Sequence, residues 1–510
     1  MFRKGAFLLF FIGILGNFTI AQNIRFNEAF PIIPGLAASS LSIMVEPNGY
    51  IIYGITLDSK GHQDIALSKI DSTGNILWKK SYPKASYNFL PYAVCNELGI
   101  NIPWGGEIGE IDWYNDTVSS LVCWGLYRFD GNGDTVWTRN YADSTFTLTD
   151  EIKITRDEKY LIYGAWINYA DRYQGFCTLF LRKTDSLGNL IWTRTYHYSD
   201  SLTREASGID TCKDGGYILC AYEKDTNTNY SKINCWDGKI MIMKTDSGGN
   251  IKWTKYIPNP ICDVRAFSIR TLKNGGYLVS GFWDDSLNWN GDIAFSHMYM
   301  AKLNDTGSIV WSNTYGLINE EGHNVLNDVR ELPNGDIIAC GFGDSLLKPQ
   351  PGAILRTDSN GNQKWLRYYY KVYPTDEDYL TDILYTHNGG FIASGYTYDN
   401  PENFWVVKTD SMGCDTIGCN YTGLEQFKES VGEVKVYPNP NNGSFTISFL
   451  NINGKWTVEI YDVLGESIYT AVLNSDNTEI SLKNQPPGIY FYRILTHNEA
   501  LIGSGKLIIE

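Results

Sequence analysis

Residues 185–196 read DSLGNLIWTRTY, and the phrase returns as DSTGNILWKKSY at 71–82, DSGGNIKWTKYI at 246–257 and NDTGSIVWSNTY at 304–315. The motif begins at positions 71, 130, 185, 246, 304, 358 and 410, so the units are 52 to 61 residues long. A fixed period of this size marks a repeat architecture. A second phrase lies upstream in most units: PNGYIIYGIT (47–56), KDGGYILCAY (213–222), KNGGYLVSGF (273–282), PNGDIIACGF (333–342) and HNGGFIASGY (387–396). Its Asn-Gly or Gly-Gly pair supplies the positive φ angles of a tight hairpin, and the β-branched and aromatic residues after it read as a strand. A third phrase runs into the turn motif as IALSKID, LFLRKTD, IMIMKTD, MYMAKLN or FWVVKTD, each an apolar run of strand length.

Each unit therefore offers four strands and two tight hairpins. Residues four apart in a strand share a face, so Trp78 and Tyr82, Trp137 and Tyr141, Trp192 and Tyr196, Trp311 and Tyr315, and Trp365 and Tyr369 point the same way. These are expected to pack between neighbouring sheets, since a residue present in every repeat serves the repeat. The seventh unit lacks the Trp strand, and residues 23–30, with Phe26 and Phe30 four apart, are expected to supply it. The second unit is the weakest, its hairpin phrase degraded to CNELGINIPWGG. The fold class expected is all-β: a seven-bladed β-propeller of four-stranded blades over 22–419, closed by the N-terminal strand, followed by a small C-terminal β-sandwich.

The 510 residues include 15 Trp, 35 Tyr, 49 Gly and 17 Pro, a bias toward strands and turns. A net charge of −15 argues against nucleic acid as a partner. Residues 1–21 combine Arg3 and Lys4 with an apolar run, Ala6 to Leu15, and a small-residue Thr19-Ile20-Ala21 ending, so a signal peptide cleaved after Ala21 is expected. No transmembrane segment is expected in the mature chain. Ten Cys suit an oxidising compartment. Cys414 and Cys419 are a candidate disulfide, and Cys340 is expected to be a buried free thiol.

Residues 420–433 read as a polar linker. Beyond them, short alternating strands lie between turns that carry Tyr437, Pro438, Asn439, Pro440 and Gly443, then Asp462 with Leu464 and Gly465, then Gly488, Ile489 and Tyr490, and finally Lys506. Residues 434–510 resemble the C-terminal sorting domain (type A) of the type IX secretion system of Bacteroidetes. The resemblance implies passage through the periplasm and an outer-membrane translocon, removal of the domain by a sorting peptidase, and an extracellular or cell-surface product.

The longer connections are expected on the face opposite the tight turns, where function usually lives. They carry Trp104, Trp113, Tyr114, Trp236, Trp283 and Trp289 beside Asp112, Asp237 and Asp285, with further acids at Glu107, Glu110, Asp284 and Asp292. Indole faces stack on sugar rings and carboxylates accept hydroxyl hydrogens, so these are the binding candidates. The six His show no metal-ligand spacing, no nucleophile elbow occurs, and residues 130–141 fail as a calcium loop. No cofactor, metal or catalytic residue is assigned. The function expected is a non-catalytic module that binds glycan or protein. The alternatives are a secreted polysaccharide-degrading hydrolase using loop carboxylates, or a structural surface-coat protein.

Overall fold

The computed structural model describes residues 25–416 and 435–510, less the stretches 58–62, 83–87, 90–93, 97–98, 109–120, 143–145, 168–176, 197–201, 226–237, 259–262, 288–292, 317–321, 344–349, 372–376, 387–388, 399–400, 449–455, 463–466, 474–476 and 497–500. Residues 1–21, the linker at 420–433 and Cys419 lie outside the described residues. The chain divides into two compact units, Met1–Cys419 and Asn420–Glu510.

Among the described residues the first unit holds seven sheets in chain order, antiparallel except for a short parallel pairing of Gly322–His323 in the fifth. The first is a meander of Ala38–Glu46, Gly49–Leu57, Gln63–Asp71 and Ile76–Tyr82. The others span 88–142, 146–196, 202–258, 264–323, 325–369 and 378–409. The seventh gains its outer strand from Phe26–Phe30, which pairs antiparallel with Asn403–Thr409 in the register Phe26↔Lys408 to Phe30↔Phe404. In the second sheet two short strands, Asn88–Phe89 and Val94–Asn96, share one partner, Gly99–Ile108.

The expectation of a seven-bladed β-propeller of four-stranded blades is corrected here. Among the described residues no sheet is closed into a barrel; each is an open ribbon, and two of the seven carry a fifth strand. The physical reason is that Gly-containing turns specify local hairpins, while closure requires hydrogen bonds between one sheet and the next, and the outer strands here make none.

What joins the sheets is side-chain packing. The third phrase is apolar at every position because both faces of its strand are covered: Leu179 and Leu181 pack toward the fourth sheet, and Phe180 toward the second. Equivalent clusters join each successive pair, and Phe404 and Ile392 of the seventh sheet pack against Ile43, Ile52 and Ala66 of the first.

The repeated phrase has a single physical reading. Asp185 accepts from the backbone N–H groups of Leu187 (2.9 Å) and Asn189 (2.8 Å), and Gly188 takes φ of 81°. The same pattern holds at Asp71, Asp130, Asp246, Asn304, Asp358 and Asp410. The turn glycine then lies on the Trp ring of the preceding sheet: a Cβ at Gly249 would sit 3.1 Å from Trp192, and one at Gly188 3.0 Å from Trp137. The Tyr four residues after that Trp donates to the same glycine's carbonyl, as in Tyr196 to Gly249 (2.8 Å), Tyr315 to Gly361 (2.8 Å) and Tyr369 to Gly413 (2.7 Å). The Arg194 guanidinium lies 5.3 Å from the Trp192 ring centre, and its side chain also borders Gly249. Phe26 takes the Trp role against Gly74, with a Cβ there 3.0 Å from its ring.

Two predictions follow from this turn. Gly249→Ala should destabilise by about 2 kcal/mol or more, from left-handed strain plus displacement of Trp192. Gly215→Ala, at φ 81° with open space around it, carries only the strain of about 1–2 kcal/mol; equal losses in thermal melts would refute the ring contact. The Asp71 carboxyl is pulled down to about 2, first by the Thr73 hydroxyl, which with the Asn75 side chain and backbone outweighs the opposing desolvation. Its folded value lies below the unfolded value of about 4, so this stabilisation is complete above about pH 4 and is lost as pH falls toward the folded value. Asp71→Asn keeps the acceptor, as Asn304 does, so its melting temperature should fall less steeply with acid than that of the parent.

Candidate functional site

The first strands of six sheets carry a bulge at one equivalent place, which leaves Leu41, Asp150, Ser207, Phe267, Asn327 and Thr381 unpaired. A bulge turns a side chain off the ladder and re-aims it. Asn327 donates to the Leu380 carbonyl at 2.7 Å and Thr381 to the Ser40 carbonyl at 3.2 Å, so neighbouring first strands are tied together at this level. Among these six residues Asp150 is the one acid.

Immediately beside the bulges lies a buried ionic network. Arg270 of the fifth sheet reaches Asp328 of the sixth at 2.7 Å and Glu151 of the third at 3.1 Å. Arg330 joins Asp328 (2.9 Å) to Asp382 (3.1 Å), and Lys153 holds Glu151 at 2.7 Å. Ser42 donates to Asp382 (2.7 Å) and Ser268 to Asp328 (2.9 Å). Burial alone would raise the Glu151 carboxyl, but Arg270 and Lys153 outweigh it and hold it below its ordinary value. Burial acts likewise on Asp382 and is outweighed by Arg330 and the Ser42 hydroxyl. Five sheets thus contribute to one cluster.

A second group stands on the third, fourth and fifth sheets. Arg265, partly exposed, pairs with Glu205 at 3.0 Å and with Asp263 at 3.5 Å, and its guanidinium lies 3.9 Å from the Tyr222 ring centre. Burial, and then the Asp263 charge, pushes the Tyr222 hydroxyl up. Burial also holds Asp263 above the usual carboxylate range, although Arg265 opposes it. Asp150 is held well above that range by burial and then by the charges of Glu205 and Glu151. It keeps partial exposure to solvent. Burial and like charge push the Asp150 carboxyl toward its neutral form, while Glu205 is paired with Arg265, and opposite environments of this kind suit proton transfer.

The loop candidates are placed unevenly. Trp113, Tyr114, Asp112, Trp236, Asp237 and Trp289 lie outside the described residues, as do Glu110 and Asp292. Trp104 is in the strand Gly99–Ile108, opposite Gly125. Trp283 is half-buried in the strand Tyr277–Leu287, its ring 5.4 Å from that of Tyr299. Asp284 is buried and accepts from Ser296 at 2.6 Å, and Asp285 is at a bulge. Gly238, which follows Trp236 and Asp237 in the chain, lies against Tyr222 and Asp263: a Cβ there would be 1.9 Å and 2.3 Å from them. Gly238 is therefore part of the Arg265 group. Sequence reasoning missed Asp150, Glu205 and Arg265 because they stand in strands. For Asp150 the available signal was an acid where the other repeats carry neutral residues; Glu205 and Arg265 are oppositely charged residues at one and the same repeat position.

A cleft of about 240 Å³ lies near the tight turns between the third and fourth sheets, lined by Asp157, Lys183, Cys212 and Tyr217. Its Lys183–Asp157 pair (3.1 Å) repeats as Lys244–Asp214 (2.9 Å) and Arg356–Asp336 (2.7 Å), so these groups belong to the repeat. Cys212, Cys220 and Cys340 are free and buried, and burial pushes the Cys212 thiol up to about 12. Cys414 is in a disulfide.

In the second unit a three-stranded sheet (Lys435–Tyr437, Ser444–Ser448, Asn477–Ser481) and a four-stranded one (Ser467–Leu473, Trp456–Tyr461, Gly488–Thr496, Leu501–Ile509) share a sandwich-like core of Phe445, Ile447, Trp456, Val458, Ile460 and Leu507. Tyr437–Pro438 and Asn439–Pro440 are cis. Asn439 donates to the Lys506 carbonyl (2.7 Å) and accepts from the Ile508 N–H (2.8 Å), tying the Pro-Asn-Pro segment to the last strand. Gly443 takes φ of 89°, and a Cβ there would lie 2.9 Å from the Lys483 Cα. Tyr490 is buried and donates to the Pro486 carbonyl at 2.7 Å. Gly488 opens the strand that pairs with Lys506, and Asp462 follows Tyr461. Gly465 lies outside the described residues.

Residues 435–510 match a family described as the secretion system C-terminal sorting domain. The chain thus carries a type IX sorting domain, which implies engagement with that secretion machinery and delivery toward the cell surface through the periplasm. Among the described residues no helix is long and apolar enough to cross a membrane. Over 249 residues the chain is 43% identical to an endo-acting ulvan lyase of Formosa agariphila, covering 47% of this chain and 42% of that protein. An ulvan lyase of Nonlabens ulvanivorans is 23% identical over 231 residues, 43% of this chain and 42% of that one. The chain thus spans well under half the length of the curated relatives it matches. Among solved structures it is similar to the polysaccharide lyase Uly1, with a TM-score of 0.45 and 9% identity over 78% of this chain and 94% of that one. Both curated relatives are named as enzymes, which corrects the expectation of a non-catalytic binding module that is not an enzyme.

Asn439→Ala removes two hydrogen bonds and should cost about 1–3 kcal/mol. In differential scanning calorimetry of the full chain, the second unit's transition should shift down while that of the first unit stays; an unmoved profile would contradict the role given to Asn439.

Proposed function

We propose that the first unit is an exported polysaccharide-degrading enzyme, and that its chemistry is at the Asp150–Glu205–Arg265 group. The observation that carries this reading is the 43% identity over 249 residues with an ulvan lyase, a span longer than residues 420–510 and so reaching into the first unit. A lyase breaks a glycosidic bond beside a uronate by elimination. A cation facing the carboxylate acidifies the neighbouring carbon, a base takes its proton, and an acid protonates the leaving oxygen. Arg265 is a partly exposed cation in the right company, on a chain whose net charge of −15 would otherwise repel an anionic polymer. Trp113, Tyr114, Trp236 and Trp289, which lie outside the described residues, are the proposed sugar platforms. On this reading the sorting domain is removed by the secretion peptidase after passage through the outer membrane, and the enzyme is released or stays on the surface. Hydrolysis is the second reading, favoured by the two carboxyls of Asp150 and Glu205.

The test is incubation of the purified chain with ulvan and a panel of other uronate-containing and neutral polysaccharides. Unsaturated chain ends, seen by ultraviolet absorbance, are the expected product. New reducing ends without unsaturation would replace elimination by hydrolysis, and intact polymers throughout would refute the enzyme reading.

A further inference from the structure

We propose that Tyr398, with Glu377 and Glu402, forms a subsite on the seventh sheet for an uncharged sugar unit of a polysaccharide; the assignment rests on the enzyme reading above. Strand register places these residues together. Tyr379, Tyr396 and Phe404 stand directly opposite one another on three neighbouring strands. Opposite residues share a face of a sheet, and so do residues two apart in one strand. Tyr398 is therefore on that same face, one row further out. Its N–H donates to the Glu377 carbonyl at 2.8 Å, and it lies one step beyond the pair Thr397↔Asn403, opposite Glu402. The outer row is thus Glu377, Tyr398 and Glu402.

Exposure rises toward that row. Phe404 is fully buried and Tyr379 and Tyr396 are half-buried, while Tyr398 is 47% exposed. The Tyr398 ring centre is 5.8 Å from that of Tyr379 and 6.0 Å from that of Tyr396, tilted by 66° and 54°. Tyr379 in turn meets Phe342 of the sixth sheet edge-on at 4.3 Å. The Tyr398 ring is held by its neighbours and still presents nearly half its surface to solvent. The repeat does not require it: the equivalent places in the first, third, fourth and fifth sheets hold Leu57, Ile167, Lys224 and Asp284. Tyr379 has the register position of Glu205 and Arg265 in their sheets, so the tyrosines lie at the same end of the repeat as the proposed chemistry.

A sugar ring matches both kinds of group. Its C–H face stacks on an aromatic ring, and its hydroxyls donate to carboxylates. Glu377 accepts from the Tyr379 hydroxyl at 2.5 Å and Glu402 from the Ser39 hydroxyl of the first sheet at 2.6 Å. These bonds fix the carboxylates, and each keeps further capacity to accept, since a carboxylate has about four acceptor sites. Two negative charges repel a uronate or a sulfate ester, which makes the occupant an uncharged sugar.

The test is affinity electrophoresis of the full chain through gels containing xylan, arabinan, galactan or glucomannan, with pectate as the charged control. At least one neutral polymer should retard the parent. Tyr398→Ala should weaken that affinity about tenfold, as expected for one aromatic contact, and Tyr398→Phe, which keeps the ring, should stay within about threefold. Tyr385→Ala, a tyrosine 42% exposed at the other end of the strand Asp378–Tyr385, should bind as the parent does. The melting temperature of Tyr398→Ala should hardly move, because the ring is at the surface. No retardation by any neutral polymer, equal retardation of the parent and Tyr398→Ala, or Tyr398-dependent retardation by pectate alone overturns the assignment. Binding requires no bond cleavage, so the two readings fail separately. A chain that degrades a polymer while Tyr398→Ala binds like the parent loses only the subsite. One that binds through Tyr398 and degrades nothing loses only the enzyme reading.

Discussion

The contact between a turn glycine and the aromatic ring of the preceding sheet is the constraint on which the first unit depends. One residue meets several demands at once. Gly249 takes a left-handed conformation to finish its hairpin, gives the Trp192 ring a flat surface, and offers its carbonyl to Tyr196. The side chain of Asp246 holds the turn in shape by accepting from two backbone N–H groups. Local turn chemistry and packing between sheets are thereby one feature. A four-stranded meander that is apolar on both faces is not stable alone in water, and this contact sets each sheet at a fixed place on the next. Its use of Phe26 against Gly74 extends the rule to the seventh and first sheets.

The first strands obey a different logic. Their side chains converge, and the space they enclose holds Arg270, Arg330 and Lys153 among Glu151, Asp328 and Asp382. Buried ion pairs seldom add net stability, because desolvation offsets attraction; removing one partner is what costs. The network is better read as a positioning device, since Arg270 fixes sheets three and six relative to five. Beside it the arrangement loosens. Arg265 and Glu205 keep access to solvent, and Asp150 has no cation of its own. The proposed site rests on that contrast between a balanced cluster and an adjoining unbalanced one.

The strands and turns were legible because their causes are local. Asn-Gly, Asp-x-x-Gly and alternating aromatics act over a few residues, and the structure has hairpins at each of those places. The buried free thiol of Cys340 followed from an apolar strand in the same way. The site was not legible. In TLTDEIKI, Asp150 reads as one polar residue of a strand, and nothing near it announces a bulge. Glu151 and Arg270 are 119 residues apart, and only sheet packing makes them neighbours. A search for catalytic motifs by spacing fails when each group comes from a different sheet, which is why a non-catalytic protein was expected. The closed propeller was expected by counting repeats, and a count does not say which strand edges hydrogen-bond.

The sequence by itself determined the repeat, its hairpins, the shared face of Trp and Tyr, and the sorting domain, whose Tyr-Pro-Asn-Pro phrase and terminal strand are each short and local. Tertiary structure alone decided that the turn glycine is where the ring of the preceding sheet rests, that Asn439 meets the strand around Lys506, and that Glu205 and Arg265 of different sheets form a pair. The reason is the range of the forces involved. Backbone dihedral preference and side-chain alternation act within a strand and are written in order along the chain. Burial, and the ion pairs that burial demands, act across sheets and depend on which surfaces have been brought together.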